Sequence, residues 1–253
     1  MFPLIRGWTD VQRSPQANLR LGLVLSFVAG AINAGGFLAV GRYTSHMTGI
    51  VSSIADDVVL GHGTLVLAGL ACLIAFVLGA MCTAIMVNWG LRQRLHSSCS
   101  LPLLLESLAL LVFGLFGAAI ASWSQVFLPL TVVLLCFIMG LQNAVITKIS
   151  HAEIRTTHVT GLVTDIGIEL GKLLYINRLA SDAPVRANRQ RLRVHSALVL
   201  GFLLGGLMGA LGFKAWGYIT TLPLAALLWL LCLRPLINDW RQGARFFTND
   251  RRD

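Results

Sequence analysis

Two short polar segments, one in each half of the chain, carry the side chains best suited to chemistry. Residues 44–57 read TSHMTGIVSSIADD and residues 156–169 read TTHVTGLVTDIGIE. Six of the fourteen aligned pairs are identical at a constant offset of 112 residues, and most of the others are conservative. Self-similarity at a fixed offset is typical of a duplicated structural unit. We therefore expect the two segments to perform related roles.

The titratable side chains of these segments recur on one predicted helix face. His158, Asp165 and Glu169 are spaced by 7 and 4 residues, which places them within roughly 40° of one another on a helix. The first copy has the same spacing in His46, Ser53 and Asp57. Two carboxyl groups one turn apart in a poorly hydrated site do not both ionise, which predicts a proton- or cation-coupling site. In the alternatives, Lys172 neutralises one of them, or the segments lie along the membrane interface with solvated carboxylates.

Hydroxyl groups and glycines cluster at the start of each predicted half-helix. Threonine side chains stand where they could cap a helix N-terminus, and these are Thr44, Thr48, Thr156 and Thr160. Gly49 and Gly161 allow a close backbone approach at the same positions. A short helix that begins within the membrane presents free N–H groups that favour an anion.

Two asparagines occur at equivalent places in long apolar stretches. Asn33 follows Gly30 and Asn143 follows Gly140 at the same spacing, and alanine comes next in both copies. A buried amide needs hydrogen-bond partners, so each asparagine either joins helices or contacts a solute or ion.

The elements that must position these residues are apolar runs. The chain has 253 residues, of which 56% are hydrophobic and 12% are charged, about half the charged fraction of a soluble domain. Glu106 is the single charge in six runs of at least 18 residues, namely 21–41, 63–89, 101–123, 127–146, 196–213 and 215–233. About 20 apolar residues span a bilayer as a helix. This predicts an all-α polytopic membrane protein with six transmembrane helices.

The distribution of basic residues predicts how the spans are oriented in the membrane. Six spans place 18 of the 20 Lys and Arg on one side, leaving Arg42 and Lys214 on the other, as the preference of Lys and Arg for cytoplasmic loops requires. Both termini are then cytoplasmic. An eight-span alternative, in which residues 44–60 and 158–175 also cross, separates the charges less well. The net charge of +9 thus has a topological explanation, and we expect no nucleic-acid partner.

The predicted organisation is two inverted repeats of three spans, each with a polar half-helix. A cytoplasmic segment 1–18 is followed by repeats at 19–123 and 124–236, with a basic cytoplasmic loop 176–194 and a basic tail 237–253. Because three is odd, the second copy enters the membrane from the opposite side. Inverted repeats of this kind occur in many secondary transporters, whose solute sites lie at the repeat interface. We therefore expect the two half-helices to face one central site.

Three further expectations concern function and partners. The leading hypothesis is a permease for a small, anionic solute, coupled to protons through Asp165 and Glu169. The alternative is a membrane scaffold or regulator that docks partners on its basic loop and tail. Enzyme, cofactor and metal motifs are absent from the sequence, so we expect neither catalysis nor a cofactor or metal site. The least favoured alternative is an intramembrane hydrolase built from His46, Ser52, Ser53 and Asp57.

Two other features bear on packing. The stripe Gly201, Gly205 and Gly209 predicts close helix contact, within the chain or in a homodimer. Glu106 lies five residues into the third run. It either reaches the surface to pair with Arg92 or Arg94, or acts within the membrane.

The paired motifs resemble a known family. SHMTG at 45–49, TTHVTG at 156–161 and TDIGIELG at 164–171 are similar to those of the YoaK-like family of bacterial inner-membrane proteins, over about residues 19–236. The resemblance implies a polytopic helical fold in the inner membrane; the family is catalogued as a domain of unknown function and implies no activity. Members often have Asn after the first motif glycine, where this chain has Ile50.

Overall fold

The computed structural model describes residues 15–123, 130–150, 156–176 and 184–249. Within these ranges the chain forms eight α-helices: α1 (Pro15–Val40), α2 (Met47–Val59), α3 (Gly63–Arg92), α4 (Ser100–Trp123), α5 (Leu130–Ile149), α6 (Val159–Leu174), α7 (Arg189–Trp216) and α8 (Thr221–Asn249). A 3₁₀ turn, Gly217–Thr220, joins α7 to α8. The described ranges contain no strand, which confirms the all-α class.

Long apolar helices account for most of the chain. Five segments have the length and hydropathy to cross a membrane: 16–39, 63–92, 100–117, 130–149 and 189–240. The fifth has 52 residues and contains α7, the turn and the first part of α8. Helices suit such sequences because every backbone polar group is satisfied within the helix. The chain is therefore a helical protein of the membrane type.

Packing of α1 against α7 depends on glycine. A Cβ on Gly205 would overlap the carbonyl oxygen of Phe27, and one on Gly209 would overlap that of Ala31. The hydroxyl of Ser26 donates to the carbonyl oxygen of Leu198 over 2.8 Å. Residues later in α1 contact residues later in α7, so the two helices run in the same direction. Of the two interpretations of the glycine stripe, packing within the chain is the one that the structure contains; the homodimer stays a prediction.

Contacts of the same kind join α3 to α5. A Cβ on Gly79 would overlap the carbonyl oxygen of Phe137. The Thr83 hydroxyl donates to the carbonyl oxygen of Leu141 over 3.1 Å, and further along, Lys148 Nζ donates to Asn88 Oδ1 over 2.6 Å. These two helices therefore also run in the same direction.

The third helix pair, α4 and α8, is antiparallel. Ser107 donates to the carbonyl oxygen of Ala225 over 2.7 Å, while Thr221 donates to that of Leu110 over 3.0 Å. The chain reverses between α7 and α8 at Gly217, whose φ of 59° is one that glycine adopts without strain. Hydroxyl-to-carbonyl bonds of this type join helices where water is absent.

The polar segments form the short helices expected of them. Segment 44–60 contains α2 and segment 158–175 contains α6, which packs along α7 as α2 packs along α3. The predicted loop 176–194 and the predicted tail 237–253 are both partly helical. Helix α7 begins at Arg189, inside the predicted loop 176–194, and α8 continues to Asn249, well into the predicted tail. Residues 1–14 and 250–253 lie outside the described ranges.

We expect Gly205→Ala to destabilise the protein and Gly201→Ala to be tolerated. The added methyl at position 205 meets the α1 backbone, and overpacking of this kind costs about 1–3 kcal/mol. At position 201 the nearest atom is the Leu23 carbonyl oxygen at 3.5 Å, an ordinary contact. Thermal unfolding of the purified protein in detergent would measure both changes. Equal melting temperatures for the two variants would contradict the observed packing.

Candidate functional site

Asn33 holds the chain where it enters α2. Its side-chain oxygen accepts hydrogen bonds from Ser45, at 3.2 Å from the backbone N and 2.9 Å from the hydroxyl. Asn33 lies seven residues before the end of α1, which is about 10 Å along the helix axis. The N-terminus of α2 is therefore anchored well inside the end of α1.

Asn143 holds the chain before α6 in the same way. Its side-chain oxygen accepts from the hydroxyl of Thr157, while its side-chain nitrogen donates to the carbonyl oxygen of Met139 over 2.8 Å. Asn143 lies six residues before the end of α5, or about 9 Å. The two asparagines thus attach the half-helices to α1 and α5, the first of the two roles considered for them.

The predicted threonine caps are not present. The N-cap residues are His46 for α2 and His158 for α6, and neither helix receives a side-chain capping bond. Thr44 and Thr156 are instead buried, and their hydroxyl oxygens have no hydrogen-bond partner. The capping prediction was wrong because the anchoring by asparagine draws the preceding threonines inward. The first N–H groups of both half-helices are left without a side-chain acceptor.

Six other residues of the predicted sites in α2 and α6 are exposed. They are His46, Thr48, Ser53, His158, Thr160 and Gly161. The His46 ring lies over Gly49, where a Cβ would overlap it, whereas Gly161 has open space around it. Ile50, where family members often have Asn, is half-buried and packs on the cluster around Cys72 and Cys136.

The two half-helices do not form a packed pair. Helix α2 packs on α3, and α6 packs on α7. In the first half, a turn of three residues, 60–62, folds α2 back along α3. The expectation that both face one central site stays a prediction. The structure offers two related half-sites, each at the N-terminus of one half-helix.

The acidic residues of α6 contact Lys172 of the same helix and groups at the start of α7. Glu169 is buried and accepts from Lys172 Nζ at 2.8 Å and from the backbone N of Asn188 at 2.6 Å. Asp165 pairs with Arg191 at 3.1 Å and lies 3.5 Å from His195 Nδ1. The hydrogen bond from Lys172 and the backbone hydrogen bond from Asn188 lower the pKa of Glu169. Neutralisation by cations, one of the alternatives given by the sequence, is what the structure contains.

Sequence reasoning missed the α7 members of this cluster. His195 is 6% exposed, and no motif or spacing in the sequence marks it as buried. Asn188 accepts from the backbone N of Arg191 over 3.0 Å as the N-cap of α7, and an asparagine before a helical run is a recognised signal for such a cap. In the first half, Asp57 contacts only His62 among the ion pairs of the described residues, at 3.3 Å. The described residues contain no group of three or more metal-ligating side chains.

We expect Glu169→Gln to weaken the attachment of α6 to α7. The stability of the variant should also depend less on acid pH than that of the wild type. Because the pKa of Glu169 is lowered in the fold, its stabilisation is complete above the ordinary value of about 4.3 and is lost as the pH falls through the lower folded value. Melting temperatures of the wild type and the variant, recorded from pH 7 to 3, would converge in acid. Asp56→Asn, at an exposed acid of α2, is the control. A constant difference at every pH would contradict the ion pair.

Comparison with known proteins agrees with the helical, membrane-type fold. The chain matches a family model described as "Protein of unknown function (DUF1275)" over residues 21–233. It is 25% identical over 158 residues to the UPF0700 transmembrane protein YoaK of Bacillus subtilis (strain 168), a stretch that covers 61% of this chain and 68% of that protein. No solved structure matches it. The predicted resemblance to YoaK-like proteins is confirmed, and the chain belongs to the DUF1275 family.

Proposed function

We propose that this protein is a secondary transporter that binds a small anionic solute at the N-termini of α2 and α6. It crosses the bacterial inner membrane six times, as two inverted three-span repeats with both termini in the cytoplasm. The observation that carries the proposal is the paired anchoring of Ser45 by Asn33 and of Thr157 by Asn143. This anchoring draws two uncapped helix N-termini into the membrane.

Equivalent contacts support the inverted repeat. The carbonyl oxygen of Phe27 lies over Gly205 in the pair α1 and α7, and that of Phe137 lies over Gly79 in the pair α3 and α5. The two phenylalanines differ by 110 positions and the two glycines by 126, so exchanging the halves maps one contact onto the other. Side chains from residues 21–38 also have the same buried, half-buried and exposed pattern as those from 131–148.

The segment 189–240 supports six crossings rather than five. As one straight helix its 52 residues would measure about 78 Å, far more than the ~30 Å of a hydrocarbon core. The side chain of Thr220 instead lies over Gly212, eight residues earlier in the chain. This contact requires a hairpin, so α7 and α8 make one crossing each.

The lengths of the half-helices argue against eight crossings. Helix α2 has 13 residues and α6 has 16, which gives about 20 and 24 Å. Both are shorter than the hydrocarbon core. With their N-termini anchored below the ends of α1 and α5, they fit re-entrant helices on opposite sides of the membrane.

The chemistry of these N-termini favours an anion. The partial positive charge of a helix N-terminus and its free N–H groups bind carboxylate, phosphate or sulfate oxygens. Arg42, two residues before Thr44, is exposed beside the first of them. Thr48 and Thr160 add exposed hydroxyl donors at the two N-termini.

The topology can be tested with one matched pair of cysteines. Ser52 and Thr164 are exposed and occupy equivalent positions in α2 and α6, so Ser52→Cys and Thr164→Cys are each introduced into a variant that lacks the five native cysteines. In intact cells, a membrane-impermeant maleimide should label position 52 only, and position 164 should react after permeabilisation. Labelling of both positions from the same side would refute the inverted repeat.

Solute binding can be tested with a pair of variants that differ in charge alone. Thr48→Asp combined with Thr160→Asp places a carboxylate on each N-terminus, whereas Thr48→Asn with Thr160→Asn adds a neutral group of the same size. Chloride, sulfate, phosphate and acetate are screened for an increase in melting temperature, followed by counterflow in proteoliposomes. We expect at least one anion to stabilise and exchange on the wild type and the Asn variant, and not on the Asp variant. If no anion stabilises the wild type, or if both variants respond equally, the proposed site is wrong.

A further inference from the structure

Glu106 is enclosed within the helix bundle. It lies in α4 with none of its surface exposed, and neither carboxyl oxygen has a hydrogen-bond partner. The sequence suggested that it could reach the surface and pair with Arg92 or Arg94. Both arginines are exposed, and the structure leaves the carboxyl inside. That interpretation was wrong because α8 and the neighbouring helices cover this part of α4.

Charged neighbours do not compensate this carboxyl. The charged or titratable side chains described on elements packed against α4 are Cys72, Cys82 and Arg92 in α3, Cys136 and Lys148 in α5, Tyr218 in the turn, and Cys232, Arg234 and Asp239 in α8. None of them hydrogen bonds to Glu106. Lys148 donates to Asn88, Asp239 accepts from the backbone of His96 and Ser97, and the Cys232 thiol donates to the carbonyl oxygen of Ser100.

A carboxyl in this position is neutral in the closed bundle. Moving an unpaired carboxylate from water into an apolar interior costs far more than protonating it. Glu106 therefore differs from Asp165 and Glu169, which have cationic partners. Of the described acids, it is the one whose charge depends on whether water can enter.

Buried serines lie at the start of α4, the end of this helix that is nearer to Glu106. Ser97, Ser98 and Ser100 are all buried at the start of α4, beside the exposed contact of His96 with Asp239. The Ser100 hydroxyl has no partner and lies six residues before Glu106, or about 9 Å along the axis. Separation of α4 from α8 at this end would admit water along the serines and allow Glu106 to ionise.

We propose that Glu106 is the proton-binding site that couples this transporter to a proton gradient. The inference rests on the proposed transport function. It gives Glu106 the coupling role that the sequence predicted for Asp165 and Glu169. A proton binds more tightly when α4 and α8 are closed than when they are apart. Protonation and closure therefore stabilise each other, as differential affinity for two states requires.

Dicyclohexylcarbodiimide, an apolar reagent that adds to neutral carboxylic acids, gives a test that needs no solute. The purified protein in detergent is treated at pH 6 and at pH 9, and the modified residue is identified by peptide mass spectrometry. We expect modification of Glu106 at pH 6 and at least about tenfold less at pH 9. Glu106→Gln should abolish the modification and keep the melting temperature, and the control Glu169→Gln should retain the modification.

Two results would overturn the inference: no modification of Glu106 at pH 6, or equal modification at both pH values, which would mark an acid that never exchanges its proton. Proteoliposomes then separate this inference from the proposed function. Using the anion with the strongest stabilisation, Glu106→Gln should retain counterflow and lose proton-driven accumulation. Modification of Glu106 without any anion flux in the wild type would refute transport and leave the proton site supported.

Discussion

Direct backbone contact at glycine positions is the constraint on which the rest of this structure depends. At Gly205 and Gly79 the missing side chains let α7 meet α1 and α3 meet α5, so helices that lipid does not drive together gain van der Waals contact and short hydrogen bonds. Helices α1 and α5 are therefore held in place at the centre of the bundle. Because these two helices carry Asn33 and Asn143, the depth at which each half-helix begins follows from the same contacts.

The polar interior has two different chemical characters. Hydroxyl groups such as those of Ser26 and Ser107 donate to carbonyl oxygens of neighbouring helices, which joins helices without placing a charge in an apolar environment. The charged groups of α6 and α7 are paired instead, at the edge of the bundle. Glu106 belongs to neither class among the described residues. This is why a static packing role explains it less well than a role in proton exchange.

Local pattern predicted much of this architecture, and long-range packing explains what it missed. The limits of α2 and α6 were predicted to within three residues because the amphipathic pattern and the flanking turns are local. The repeat motif also identified Asn33 and Asn143 as a pair. Burial of Glu106 and His195 depends on helices distant in sequence, which no spacing rule includes.

The ion pairs of α6 make the two half-helices respond differently to solvent. Helix α6 is attached to α7 through the ion pair of Asp165 with Arg191, whose side chain is 52% exposed, and through Glu169, which accepts from the backbone N of Asn188. Salt and acid therefore weaken its attachment. Helix α2 contacts α3 largely through apolar side chains such as Ile54 against Gly69, which ionic strength hardly affects. In the proposed inverted topology, the protein would thus sense the ionic composition of one compartment and ignore that of the other.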